Sequence, residues 1–465
     1  MRIISIFFMA FGLSVSFAQN KQVIYGLDEV PQSLLLNPGT LVPQKSHFGI
    51  PFLSQVHFNG GASGVSTFEI FGNSNVDINT RIREKIFEMS DKDFFTATQQ
   101  LQVIDFGWRS QKDIYFSGGM YQELDFITYF PRDLAILAWE GNRDYLGYEF
   151  DRGQLSATGD LLTVYHFGAN KRISKKWTAG VRAKIYSSIL SVKSTNNRGS
   201  FVTRLGDVNS PNIYEHLVQN ADVKVQTSGI KSLENTTAGK VVSRAFLGGN
   251  LGVGVDLGAT YEIDDRWRAS ASLLDLGAIF HSKDVEQYHA TGDYTLDGIE
   301  LIFPPLSEGE ATLPYYDNLE DEIERELPVD TINSGYTQLR PLKVNASVKY
   351  SFGKYLGGVE CDCLDKGGIQ RIQAVGFQFY SILRPKGPQM AATLFYYHKL
   401  YKFLAAKATY TVDPYSYTNF GLGVAADIGK FNVYLAGDNI FHYGNIAKSK
   451  SVSLQFGLNI KIDPE

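Results

Sequence analysis

The 465-residue chain is poor in cysteine (2) and methionine (5), and its 44 Lys and Arg do not outnumber its 49 Asp and Glu. With no basic excess and no basic block, the composition excludes a nucleic-acid binder of the usual kind. At 44% hydrophobic and 20% charged residues it also fits neither a disordered chain nor a coiled coil. After residue 18 no stretch approaches the ~20 consecutive apolar residues that a helical span needs, which excludes a helical membrane protein. What is abundant is Gly (44), Tyr (26) and Phe (31), the composition of a large β-structure with many tight turns.

Residues 3–18 (IISIFFMAFGLSVSFA) follow the single basic Arg2 and end in Ser16-Phe17-Ala18, small residues at the −3 and −1 positions of a signal-peptidase site. The reading is a signal peptide over 1–18, cleaved after Ala18, with no lipobox cysteine to attach a lipid. The exported chain is then either a soluble β-protein or a closed β-barrel, the one non-helical structure that can span a bilayer.

Alternation with period two separates these. In 450–463, Val452, Leu454, Phe456, Leu458, Ile460 and Ile462 alternate with Ser451, Ser453, Gln455, Gly457, Asn459 and Lys461. A strand puts the two sets on opposite faces. The pattern recurs in 417–429, 342–350, 177–185, 253–261 and 267–273, and short turns such as Asp264-Asp265 join neighbours into antiparallel hairpins. About 14 strands are expected, near 46–58, 98–110, 112–125, 158–172, 176–194, 218–231, 245–263, 266–279, 341–353, 370–382, 387–398, 402–412, 416–428 and 450–463. Weaker candidates lie at 65–72 and 430–437. The polar face is Gly, Ser, Asn, Gln and Thr with scattered charges, which suits a crowded or wet lumen rather than a solvated sandwich face. Aromatics gather near strand ends, among them Trp177, Tyr261, Trp267 and Tyr350, as in interface girdles. The expected fold is all-β: a transmembrane antiparallel β-barrel in the outer membrane, in contact with lipid, with a few short helices.

Four stretches do not alternate. Residues 19–45 carry Pro31, Asn37-Pro38-Gly39 and Pro43. Pro38 removes a ladder donor and Gly39 permits positive φ, so this is irregular backbone, tolerated at membrane depth only inside a lumen. It is read as a plug, with a periplasmic arm as the alternative. Residues 78–91 and 131–142 read as helices. Residues 280–340 form an acidic excursion in which Leu319, Ile323 and Leu327 mark one short amphipathic helix. The excursion is read as a solvated loop, with a divalent-cation or basic-partner surface as the alternative. The barrel itself occupies 46–465 as one domain.

LLLNPG (34–39), PRDLAILAWEGN (131–142), VGVDLGATYEIDDRWRASASLLDLG (253–277) and the terminal NFGLGVAADIGKFNVYLAGDNIF resemble an outer-membrane barrel family widespread in Bacteroidota. That family is similar in architecture to the long-chain fatty-acid (FadL-like) transporters, and the chain's end resembles barrels that accompany type IX secretion. The resemblance implies about 14 strands and an N-terminal segment folded into the lumen.

No catalytic constellation is present in the sequence: the eight histidines are scattered, and there is no nucleophile elbow, phosphate loop or HExxH. The expectation is a non-enzymatic protein without cofactor or metal. By strand phase, Arg182, Lys184, Asp256, Arg266, Arg268, Lys343, Lys349, Lys407 and Asp427 point inward or lie at the rim. Two roles suit them: pinning the plug residues around Asn37, Pro38 and Gly39, or lining a selective passage. Cys361 and Cys363 flank Asp362 in a turn; a tight disulfide, free thiols and a metal site completed by nearby acids are the three readings. Two functions follow. The first is an accessory subunit working beside other outer-membrane or periplasmic proteins. The second is a FadL-like transporter, in which a hydrophobic or amphipathic solute leaves through a lateral gap where a strand kinks.

Overall fold

The fold was analysed in a computed structural model that describes residues 21–206, 213–234, 238–296, 329–355 and 371–462. The signal segment, most of the acidic excursion with its expected helix, and Cys361 and Cys363 lie outside the described residues. Among the described residues no helix is long and apolar enough to cross a membrane.

The chain is mostly strand. In order these are β1 (Ser46–Gly49), β2 (Val56–Ala62), β3 (Phe94–Arg109), β4 (Ile114–Tyr129), β5 (Glu149–Asp151), β6 (Ala157–Arg172) and β7 (Trp177–Ser194). There follow β8 (Arg198–Leu205), β9 (Tyr214–Ser228), β10 (Asn250–Glu262), β11 (Trp267–His281), β12 (Val285–Leu296), β13 (Val329–Ile332) and β14 (Tyr336–Leu339). The last are β15 (Lys343–Tyr355), β16 (Arg371–Arg384), β17 (Gly387–Tyr401), β18 (Leu404–Val412), β19 (Asn419–Ile428), β20 (Phe431–Gly437) and β21 (Ser451–Ile462).

Fourteen antiparallel crossings close into a barrel. β1 and β2 together make the first crossing, bonded to β3 on one side and to β21 on the other, so the barrel wall closes on itself. β14 and β15 share one crossing beside β11. β1 starts and β21 finishes at the same end, called here the terminal end, where every connection but 356–370 is short; the other long connections lie at the far end. At the far end β5, β8, β9, β12 and β13 extend the sheet beyond the wall.

Outward positions carry Val181, Ile185, Val253, Leu276, Phe377, Leu394 and Leu435, all exposed. So continuous an apolar surface is foreign to soluble proteins and suits hydrocarbon. At the terminal end Trp177 packs on its strand partner Tyr261 (centroids 4.6 Å apart) and Trp267 on Tyr350 (4.9 Å), rings fit for the water–lipid boundary.

Three assignments differ from expectation, the first being the acidic stretch 280–340, whose described parts hold β12, β13 and the wall strand β14 rather than a loop. The stretch near 218–231 does form a strand, β9, but over most of its length it pairs with β8 and β12 beyond the wall. The remaining crossing is β20, whose pattern is blurred because its inward set, Asn432, Tyr434 and Ala436, is itself partly apolar. Residues 65–72 include a helix, Thr67–Phe71, started by a reciprocal capping box between Ser66 and Glu69. The helices near 78–91 and 131–142 occupy Ile78–Glu88 and Arg132–Glu140.

The first crossing bends at 50–55, where Phe52 takes φ 62°. The wall stays bonded around the bend: Ile50 N donates to Leu458 O, Leu458 N to Leu53 O, and Gln102 N to Gln55 O. A lateral gap at a kinked strand is therefore not present here.

Candidate functional site

The lumen has two parts. In the terminal half, residues 21–44 fold into the barrel, with a 3-10 turn at Pro31–Leu35. Val23, Ile24, Tyr25, Leu27 and Val30 pack on inward side chains of β16 to β20, including Phe395, Tyr397 and Tyr434. Irregular backbone exposes carbonyls that no ladder satisfies, and wall cations and amides supply the donors. Lys407 Nζ donates to Tyr25 O (2.7 Å) and Gln22 O (3.1 Å), Arg182 to Leu34 O (2.6 Å), and Lys461 to Glu29 O (3.1 Å). Asn170 donates to Pro38 O and Thr40 O, and Ser272 to Leu36 O. The acids of the plug face wall cations: Asp28 meets Arg268 at 2.7 Å and Lys349 at 3.9 Å, and Glu29 meets Lys399 at 3.1 Å. Asp427 sits below, paired with Lys461 at 3.0 Å. Arg266 is exposed at the rim, against the Tyr350 hydroxyl.

The Asn37-Pro38-Gly39 turn rests on a glycine seat. Gly180 and Gly258 are registered neighbours on β7 and β10. A Cβ at Gly180 would stand 2.0 Å from Pro38 O, one at Gly258 2.1 Å from Asn37 Oδ1, and one at Gly39 2.3 Å from Gly258 O. Gly39 does not have positive φ, so it is required for close backbone approach and not for left-handed geometry.

Above the plug lies a cavity of about 140 Å³. Leu35 and Leu36 of the plug, with Leu274, Tyr380 and Ile382, supply its apolar lining; Lys21, Glu123, Asp125, Lys343 and Arg384 supply the charged lining. Here the charges pair with one another, some across the lumen and some between neighbouring strands. Arg384 grips Asp125 through two bonds of 2.8 Å. Lys343 bridges Asp275 (2.8 Å) and Glu123 (3.4 Å), and Arg340 reaches Glu123 (2.8 Å) and Asp160 (3.5 Å). Lys184 lies between Asp256 (2.8 Å) and Asp275 (2.7 Å). Pairing is what makes such burial tolerable. Lys21 alone among these cations forms no ion pair with a described residue.

The mouth of the cavity is narrowed by the loop between β18 and β19. Tyr415 crosses to Phe94 (rings 5.1 Å apart) and its hydroxyl meets Thr96 Oγ1 at 2.8 Å. Asp413 holds that loop by accepting from the backbone N–H groups of Tyr415 and Ser416. Burial pushes the Asp413 carboxyl up to about 7, and the Asp438 carboxyl, close by in the next far-end loop, also to about 7.

Sequence phase picks out Arg182, Lys184, Asp256, Arg268, Lys343, Lys349, Lys407 and Asp427; the structure brings Lys184, Asp256 and Lys343 into the upper network, Arg182, Arg268, Lys349 and Lys407 to the plug, and Asp427 to Lys461. It adds Lys21, Glu123, Asp125, Asp275, Arg340, Arg384, Asp413 and Tyr415. Arg340 falls between strands, and Asp275 takes φ 61° where β10 and β11 slip register, so neither follows simple alternation. Among the described residues no group of His, Cys, Asp or Glu is arranged to hold a metal ion.

A family model matches residues 38–438. The chain belongs to DUF5723, a family of unknown function. This DUF5723 member is similar in architecture to several solved barrels. The Ralstonia pickettii toluene transporter TbuX shares 10% identity over 93% of this chain and 94% of its own, with a TM-score of 0.42. A Pseudomonas aeruginosa FadL homologue shares 10% over 97% and 100%, with a TM-score of 0.41. The Pseudomonas putida toluene transporter TodX shares 10% over 96% and 97%, with a TM-score of 0.36. No protein with a curated description matches the DUF5723 chain in sequence.

Proposed function

We propose that this protein is a non-enzymatic outer-membrane barrel that takes a small amphipathic solute into its lumen from the far end, with the plug as the floor of the passage. The observation that carries the reading is the divided lining of the cavity. Leucines and Tyr380 offer an apolar wall, while Lys21 and the Arg384–Asp125 and Lys343–Glu123 pairs offer polar contacts. A few placed polar groups in an otherwise apolar concavity are what a small-molecule site requires. The terminal end would then face the periplasm and the longer loops the exterior. Tyr415 would act as a constriction at entry.

The density of plug anchors favours a second reading, an accessory subunit whose lumen is simply sealed. Native mass spectrometry of the barrel purified in mild detergent separates the two. A retained small molecule, lost on Tyr380→Ala, supports uptake. An empty barrel carrying a stoichiometric protein partner supports the accessory role and overturns the first.

A further inference from the structure

Most of the outer wall presents apolar side chains, but one patch near the far end does not. Thr163 on β6 and Ser187 on β7 are registered neighbours pointing outward in the same phase as the exposed Phe167 and Ile185. Bare hydroxyls there would face hydrocarbon at a cost. They are instead 1% and 0% exposed.

What packs on β6, β7 and β10 at this level is the segment 238–249: a short helix, Ala238–Ser243, running into a turn at Arg244–Gly248. It is fastened by the wall's own polar groups. Ser187 Oγ donates to Arg244 O (2.7 Å), Tyr165 Oη to Ala245 O (3.3 Å), and Lys283 Nζ to Gly248 O (3.4 Å). Arg244 Nε donates to Ile189 O (2.8 Å), the carbonyl of the residue skipped where β6 and β7 slip register, and its guanidinium lies 3.7 Å from Asp284. The polar side of the segment is thus consumed against the wall.

Its other side is apolar and turned outward: Val242, Phe246 (58% exposed) and Leu247, the last held at φ 66°. These continue the lipid-facing row of Leu251 and Val253 on β10, while Lys240 and Lys283 are exposed beside them. We propose that segment 238–249 is a membrane-interface anchor, its apolar face seated in the acyl-chain boundary and its two lysines meeting anionic headgroups. Lipid is the occupant that fits, because the apolar face is continuous with the belt and is flanked by cations. The proposal stands whether or not the lumen carries a solute.

The test places a nitroxide on Phe246→Cys in the full-length Cys361→Ser/Cys363→Ser chain, reconstituted in phosphatidylcholine–phosphatidylglycerol bilayers. The label's accessibility to dissolved oxygen and to an aqueous nickel chelate is compared with that of Val253→Cys, a belt reference, and Lys430→Cys, a turn reference. The expected result is an oxygen-to-nickel ratio close to that of Val253→Cys and severalfold above Lys430→Cys. A ratio like that of Lys430→Cys, or a label that neither reagent reaches, overturns the anchor; the second outcome means that protein covers the face.

Discussion

The two halves of the lumen use charge in opposite ways. In the terminal half, Arg182, Lys407 and Lys461 each donate to plug carbonyls, so a wall cation is matched by main-chain dipoles of a segment 148 to 432 residues away. In the far half, Arg340 and Arg384 are matched by carboxylates across the lumen and Lys343 by Asp275 of the neighbouring strand, and the space between stays partly empty. A lumen filled with irregular backbone must satisfy carbonyls; a lumen left open must satisfy its own charges. The first arrangement seals, and the second leaves room for a guest.

The largest way to break the contrast is at the glycine seat. Gly258→Val should expel the Asn37-Pro38-Gly39 turn, since its Cβ alone would stand 2.1 Å from Asn37 Oδ1 and 2.7 Å from the backbone N of Gly39, which cannot yield; limited proteolysis should then cut within 21–44, where the parent chain resists. Next, Arg384→Met strands Asp125 as a buried charge and should cost about 3–5 kcal/mol of barrel stability, read from the heat-induced shift in gel mobility, with the plug still protected. Lys407→Met should do the reverse. Two plug carbonyls lose their donor, roughly 2–4 kcal/mol, and hydrogen exchange should rise at plug amides while the wall's heat resistance changes little.

A smaller effect sharpens the view of the mouth. The Asp413 and Asp438 carboxyls are raised from 3.8 to about 7, so the folded state holds protons that the unfolded chain releases. Their contribution therefore becomes unfavourable as pH rises from near 4 to near 7 and stays so above. Asp413→Asn with Asp438→Asn should raise the melting temperature by a few degrees at pH 8 and leave it unchanged at pH 3.

Much of the barrel was legible because strand phase is a local property: six alternating residues suffice to orient β21 or β19. β20 was nearly lost because Tyr434 and Ala436 point inward and flatten its alternation. The inward set was legible for the same local reason, but its partners were not. Arg340 and Glu123 lie 217 positions apart and Lys461 and Glu29 lie 432 apart, so only the closed sheet brings them together. Gly180 and Gly258 read as ordinary polar-face glycines until the register of β7 against β10 placed them side by side under the plug turn.

The central claim is a lipid-embedded cylinder whose terminal half is shut by its own N-terminal segment. Conductance of the purified full-length protein in a planar bilayer tests it most directly. The account predicts insertion without a steady ionic current, and a porin-like open current appearing only when the seat is filled, as in Gly258→Val. A large steady current from the unaltered protein would contradict it.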